Sequence, residues 1–251
     1  MNTRTVSIIV SWIILWHCAP AAVDTLRDTS DIGDTHIYNY ADCFSEQQGE
    51  NCRRYNAGSI ANLRIGNSSV SKPHRALFTI PGWNDTIPDS SEFLIYCFAE
   101  SDAADRKIFL YPVTTAFFVG TELASGVGDY PDPDSGVTWN HAWLDVGDSD
   151  SLLWSNAGGD YTTAIACTTT ISGTGQYFSF KSFNRILTYW DTSGSNYGFI
   201  LINEDAFPAN NSEKAIKATE TGTGNSPLVL LYTAGEETSL RRRRTMQSLL
   251  K

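Results

Sequence analysis

The residues of this 251-residue chain best suited to chemistry are carboxylates and aromatic rings rather than nucleophiles. Asp129-Tyr-Pro-Asp132-Pro-Asp134 and Asp145-Val-Gly-Asp148-Ser-Asp150 repeat the spacing D-x-x-D-x-D on either side of Trp139 and Trp143. Calcium takes about six to eight hard oxygens in a flexible loop, and three carboxylates with backbone carbonyls supply them. The six aspartates are therefore candidate calcium ligands. Neither run has the Gly and Glu placement of an EF-hand loop, and acidic turns with Pro and Gly also serve as plain solvated turns. Tyr130, Trp143, Trp154 and Tyr161 lie in Gly- and Asp-rich stretches where a large ring is hard to bury. The apolar faces of sugar rings stack on such aromatics while nearby polar groups take the hydroxyls, so these four are the candidate ligand-binding residues. Trp139 and Trp190 sit in strand-like motifs and are expected in the core.

No catalytic residue is assigned. The chain has no G-x-S-x-G elbow, no H-E-x-x-H, and neither a phosphate-binding nor a dinucleotide-binding glycine motif. His141, between Trp139 and Trp143 and near Asp145, is the best candidate general base. A lone His in a Trp-rich loop nevertheless packs or hydrogen-bonds more often than it catalyses. Glycoside hydrolysis needs two carboxylates facing one cleft roughly 5 to 9.5 Å apart. Pairs such as Glu204-Asp205 are unavoidable among 28 acidic residues and decide nothing. A binding protein, not an enzyme, is expected.

The elements that must position these groups read as strands. His36–Tyr40, Ile60–Ile65, His74–Ile80, Phe93–Phe98, Lys107–Thr114, Tyr161–Thr170, Tyr197–Ile202 and Leu228–Tyr232 are short, rich in β-branched and aromatic residues, and bounded by turn chemistry. Lys181–Trp190 is the one segment with a helical pattern. Many such strands without regular helical inserts predict an all-β fold, an antiparallel two-sheet β-sandwich of jelly-roll type. No linker or repeat interrupts residues 35–233, which are read as one domain.

The flanks read differently. Arg4, an apolar run to Cys18 and Ala19-Pro-Ala-Ala22 have the layout of a secretory signal peptide over residues 1–22, with an apolar stretch shorter than the ~20 residues that span a bilayer. The expected product is secreted, extracellular and free of a membrane span once the signal is removed. Of five cysteines, four remain after that removal. Among the three pairings open to them, Cys43–Cys52 and Cys97–Cys167 are preferred. Asn67, Asn84 and Asn210 open N-glycosylation sequons. The formal charge of -10 argues against nucleic acid as a partner of the folded part, and against anionic glycans unless calcium bridges them. Residues 234–251, with Arg241, Arg242, Arg243 and Arg244, form a basic tail that would stay solvated, be cleaved, or dock on an acidic neighbour.

The order of landmarks resembles the DNRLRE (disaggregatase-related) β-sandwich family. The likeness rests on Asn56–Gly66, His74–Pro81, Phe93–Tyr96, Ile108–Val113, Gly136–Asn140 with Trp143, Ile186–Trp190, Tyr197–Leu201 and Ser226–Tyr232. Ser90-Ser91-Glu92 and the insert from Cys43 to Cys52 depart from the pattern. The resemblance implies a secreted, non-catalytic carbohydrate-binding or cell-surface module whose partners are polysaccharide or glycan. The alternatives are a structural subunit of an extracellular filament or matrix, assembling with itself or other extracellular proteins, and a polysaccharide-cleaving enzyme.

Overall fold

Turn residues at intervals of roughly ten positions keep the strands short, and alternation of apolar with polar residues turns one face of each inward. The computed structural model describes residues 22–27, 29–39, 58, 61–67, 73–81, 83, 87–120, 136–144, 151–203, 211–221 and 224–233. Val23–Tyr232 form one compact unit. Its strands are β1 (Ala22–Leu26), β2 (Gly33–Tyr38), β3 (Asn62–Asn67), β4 (Pro73–Thr79), β5 (Ser90–Glu100), β6 (Arg106–Pro112), β7 (His141–Leu144), β8 (Ser151–Leu153), β9 (Cys167–Ile171), β10 (Gln176–Lys181), β11 (Phe199–Asn203), β12 (Lys214–Lys217) and β13 (Leu228–Thr233), with one α-helix, α1 (Asn184–Ser193), and a 3-10 turn at Thr219–Thr221 among the described residues. The signal segment and the basic tail, read as 1–22 and 234–251, lie outside these residues except for Ala22, which opens β1.

The architecture is all-β and antiparallel. Eleven strands form one curled sheet in the order β1-β13-β5-β12-β3-β4-β11-β6-β9, with β10 along the other edge of β5 and β2 beside β4; β7 and β8 form a separate pair. The long β5 pairs with β13 through Ser90–Leu94 and with β12 through Cys97–Glu100. β3 carries the sheet round its corner, pairing with β12 over Asn62–Ile65 and with β4 at Gly66 and Asn67. Gly66 has φ 102°, and a Cβ there would stand 2.5 Å from the Ser212 carbonyl oxygen, so only glycine fits the corner.

The curl encloses a core of Phe78, Phe93, Phe180, Phe183, Phe199 and aliphatic residues from both halves of the sheet. Helix α1 adds Ile186, Leu187 and Trp190 and stops at Gly194 in the left-handed conformation. It is shifted three residues along from the Lys181–Trp190 segment: Ser182 takes a positive φ, so the helix starts only at Asn184 and ends at Ser193. The run Tyr161–Thr170 is strand only from Cys167: the Thr162 hydroxyl accepts the Ala164 N–H and turns the chain. On the sheet's opposite face, Ile37, Leu77, Ile200 and Ile202 are covered by Val137, Trp139, Ala142 and Trp154. β11 is thus buried along its whole length on both faces. Its unbroken Phe-Ile-Leu-Ile run is the sequence of a strand covered twice.

Two expectations are corrected. Cys97 and Cys167 are not bonded to each other: both are free, buried thiols, the first donating to the Ala99 carbonyl and the second to that of Ser182. Burial pushes each thiol up to about 11, which keeps them protonated and unreactive. Asn67 is 1% exposed, with its backbone N–H on the Ser212 hydroxyl, so its sequon presents no accessible amide. Cys43, Cys52, Asn84 and Asn210 lie outside the described residues.

Beside the corner, the rings of His36, Tyr38 and His74 meet at 5.5–5.9 Å, and His74 Nε2 lies 3.4 Å from a Glu213 oxygen whose partner oxygen takes Arg64. Burial lowers His36 to about 3 and holds His74 well below the usual imidazole range. Such groups stabilise the fold above the unfolded value of about 6.5 and lose that contribution as the pH falls below it. Burial raises Asp34, Glu213 and Glu220, which act in the opposite sense on acidification. The histidine part is isolated by substitution: His36→Phe should flatten the dependence of unfolding free energy on pH by up to about 1.4 kcal/mol per pH unit between pH 6 and 4. Urea titrations at each pH check this, and an unchanged slope would show that His36 is protonated in the fold.

Candidate functional site

In β6, Ile108 and Leu110 enter the core, so Lys107, Phe109 and Tyr111 necessarily face outward. Phe109 and Tyr111 stack with centroids 5.5 Å apart and planes 4° from parallel. Tyr161, set down beside β6 by its bridge to Val113, continues the row at 5.3 Å from Tyr111. Beyond it the Arg75 guanidinium, on the outer face of β4, lies 5.6 Å from the Tyr161 ring centre and 4.9 Å from that of Trp139. At the other end Lys107 Nζ stands 4.8 Å from the centre of Phe109. The result is a strip of half-buried rings with a cation at each end, Lys107-Phe109-Tyr111-Tyr161-Arg75, closed by buried Trp139.

The segment that completes the strip is fixed by Asp160. One carboxylate oxygen accepts the Ser155 N–H at 2.9 Å and the Thr115 hydroxyl at 3.0 Å, and the other accepts the Asn156 N–H at 2.8 Å. Burial pushes this carboxyl upward, but the hydrogen bonds from Ser155, Asn156 and Thr115 together outweigh it and hold it below the ordinary carboxylate range. Asp160 therefore serves its own loop. Gly158 passes directly against Arg75 and Trp139: its φ is 92°, a Cβ would lie 2.7 Å from Arg75 Nη1, and its carbonyl accepts from that nitrogen at 2.6 Å.

The structure distributes the sequence-derived candidates unevenly. Tyr161 is a rung of the strip. Trp154 is 5% exposed, with Nε1 donating to the Thr138 carbonyl, and belongs to the cap over the outer face rather than to an open surface. Trp143 is half-buried on β7 opposite Leu152, and no ring packs on it among the described residues. Around this hairpin Phe118, Leu152 and Leu153 are 50%, 47% and 62% exposed. His141 Nδ1 lies 3.1 Å from the Thr138 hydroxyl, which also accepts the His141 backbone N–H, the geometry of a local turn. Tyr130, Asp129, Asp132, Asp134, Asp145, Asp148 and Asp150 lie outside the described residues. Among the described residues no group of three His, Cys, Asp or Glu could hold a metal ion, and no helix is long and apolar enough to cross a membrane.

Phe109, Tyr111 and Arg75 were not singled out in the sequence. The period-two order Lys107, Phe109, Tyr111 carries a signal for the first two: one face of a strand offering rings and a charge. Arg75, between His74 and Ala76 in an otherwise apolar strand, is the other. Chemically the strip presents ring edges, phenolic hydroxyls and positive charge, since most of the ring faces are occupied by one another or by the cations. A scan against protein-family models gives no match for this chain, and no curated protein matches it.

Proposed function

We propose that the chain is a secreted, non-catalytic carbohydrate-binding or cell-surface module of the DNRLRE kind, with the curled sheet read as a sandwich of jelly-roll type. The observation that carries this reading is the half-exposed row Phe109, Tyr111 and Tyr161 on a rigid sheet face. Sugar hydroxyls would pair with the two phenol oxygens and with Lys107, while ring edges meet the C–H groups of the pyranose. Tyr111→Ala and Tyr161→Ala should each weaken binding to a glycan retained by the wild type by about tenfold or more, with far-ultraviolet circular dichroism unchanged. Undiminished retention on a glycan array by both variants removes the strip from the reading.

The second reading, a subunit of an extracellular assembly, is favoured by the exposed Phe118, Leu152 and Leu153 about the β7–β8 pair. It expects concentration-dependent multimers on a sizing column that Leu153→Ser disperses, and no glycan retention.

A further inference from the structure

The charge of the whole chain and the charge of the strip have opposite signs. The sequence carries a formal -10, yet both ends of the row are cationic, and the positions of β9 that pair beside Phe109 and Lys107 are Thr168 and Thr170. Among the described residues of the cap, the carboxylate of Asp160 is committed to Ser155, Asn156 and Thr115.

Arg75 is the informative group. It is largely enclosed, and it has no ion-pair partner among the described residues. Among the described residues its hydrogen bond is from Nη1 to the Gly158 carbonyl. Among the described residues the buried Lys214 is paired with Glu100 and Asp102, and Arg106 with Asp102, whereas the half-buried Lys217 meets a neutral acceptor, the Asn62 side-chain oxygen, and the Phe98 ring. Burial lowers the Arg75 pKa and Tyr161 acts to raise it; the guanidinium stays charged at neutral pH. A desolvated cation without a counter-charge is costly. Its central carbon lies 4.9 Å from the Trp139 ring centre and 5.6 Å from that of Tyr161, and Nη1 is fixed on Gly158; a guanidinium is the group that takes a carboxylate through two parallel hydrogen bonds.

We infer that the glycan taken by the strip is an acidic one, its carboxylate seated on Arg75 and its sugar rings running over Tyr161 and Tyr111 toward Lys107. This rests on the carbohydrate-binding reading and narrows it to uronic-acid-type sugars. It also reverses the expectation drawn from net charge, because charge summed over the chain says nothing about one face of one sheet.

The test is isothermal titration of the full chain with two sets of oligosaccharides. One set carries carboxylates (oligogalacturonate, oligoalginate and hyaluronate oligomers), and the other is neutral (the carboxyl-reduced galacturonate oligomer with cello-, xylo- and manno-oligosaccharides). The expected result is binding of an acidic oligomer that falls about tenfold or more on carboxyl reduction and weakens with added salt. Arg75→Met should abolish the preference for the acidic form. Should that variant melt early, Arg75→Lys, which keeps the charge without the fork, and the exposed Lys107→Ala report instead; full preference retained by both overturns the inference. Binding confined to the neutral set overturns it and leaves the carbohydrate reading standing, whereas no binding to either set removes both. Capture of a peptide through its free C-terminal carboxylate but not of its amide, with no glycan bound, also overturns the inference, in favour of a protein partner.

Discussion

Replacing Phe199 with alanine is expected to lower the unfolding free energy by about 4 kcal/mol, the upper part of the range for a fully buried ring. Phe199 has no solvent exposure and stands where the halves of the sheet and helix α1 converge. Its ring meets Phe93 at 4.8 Å, Phe183 at 5.2 Å, Phe78 at 5.3 Å and Trp190 at 6.3 Å. Four aromatic neighbours, two of them edge-on, lose their partner together, and none can swing into the void without giving up a contact elsewhere. For a domain near this size the loss corresponds to a fall of roughly 10 °C in melting temperature. Calorimetry of the variant checks it, and a change under about 1 kcal/mol would mean that the core can collapse around the missing ring.

The second large effect is expected at Lys214. Its side chain is fully buried, and its ammonium meets Glu100 at 2.6 Å and the carbonyls of Asp102 and Ala104 at 2.9 Å each, closing the turn from β5 to β6. Substitution by methionine fills the volume but leaves two carbonyls without this donor and Glu100 without its cation, while Asp102 keeps Arg106. Glu100 and Asp102 keep some access to water, at 19% and 25% side-chain exposure, which softens the penalty. The net cost is about 3 kcal/mol, at the low end for breaking a buried pair. Glu100→Gln should cost less, because the ammonium keeps its carbonyl acceptors. Equal destabilisation by the two variants would place the energy in the ion pair rather than in the carbonyl clasp.

How far the fold was legible follows from which residues share a face. Strands β4, β5, β6, β11 and β13 announce themselves through apolar alternation or an unbroken apolar run, and Trp139 and Trp190 are buried as their surroundings suggest. β12 was missed because Lys-Ala-Ile-Lys offers only one large apolar residue, and because a buried lysine inverts the usual reading of charge as surface. Trp154 misled in the opposite way. Its setting in a Gly- and Asp-rich loop suggests exposure, yet the loop folds back over the sheet and buries it. The pairing of Cys97 with Cys167 failed because an even number of thiols constrains arithmetic, not distance. The candidate site was only partly readable. Tyr161 was found by composition, but its neighbours Tyr111 and Arg75 reach it across two further strands, a relation that no local spacing encodes.

The strip is mounted on strands whose reverse sides line the central aromatic cluster, and the intervening strand is enclosed from above and below. On the proposed carbohydrate-binding reading, a sugar arriving there would meet rungs whose backbones cannot breathe without opening the interior. The conformational freedom that recognition ordinarily removes from a binding surface has already been removed by folding, so little of the contact energy is diverted into ordering the receptor.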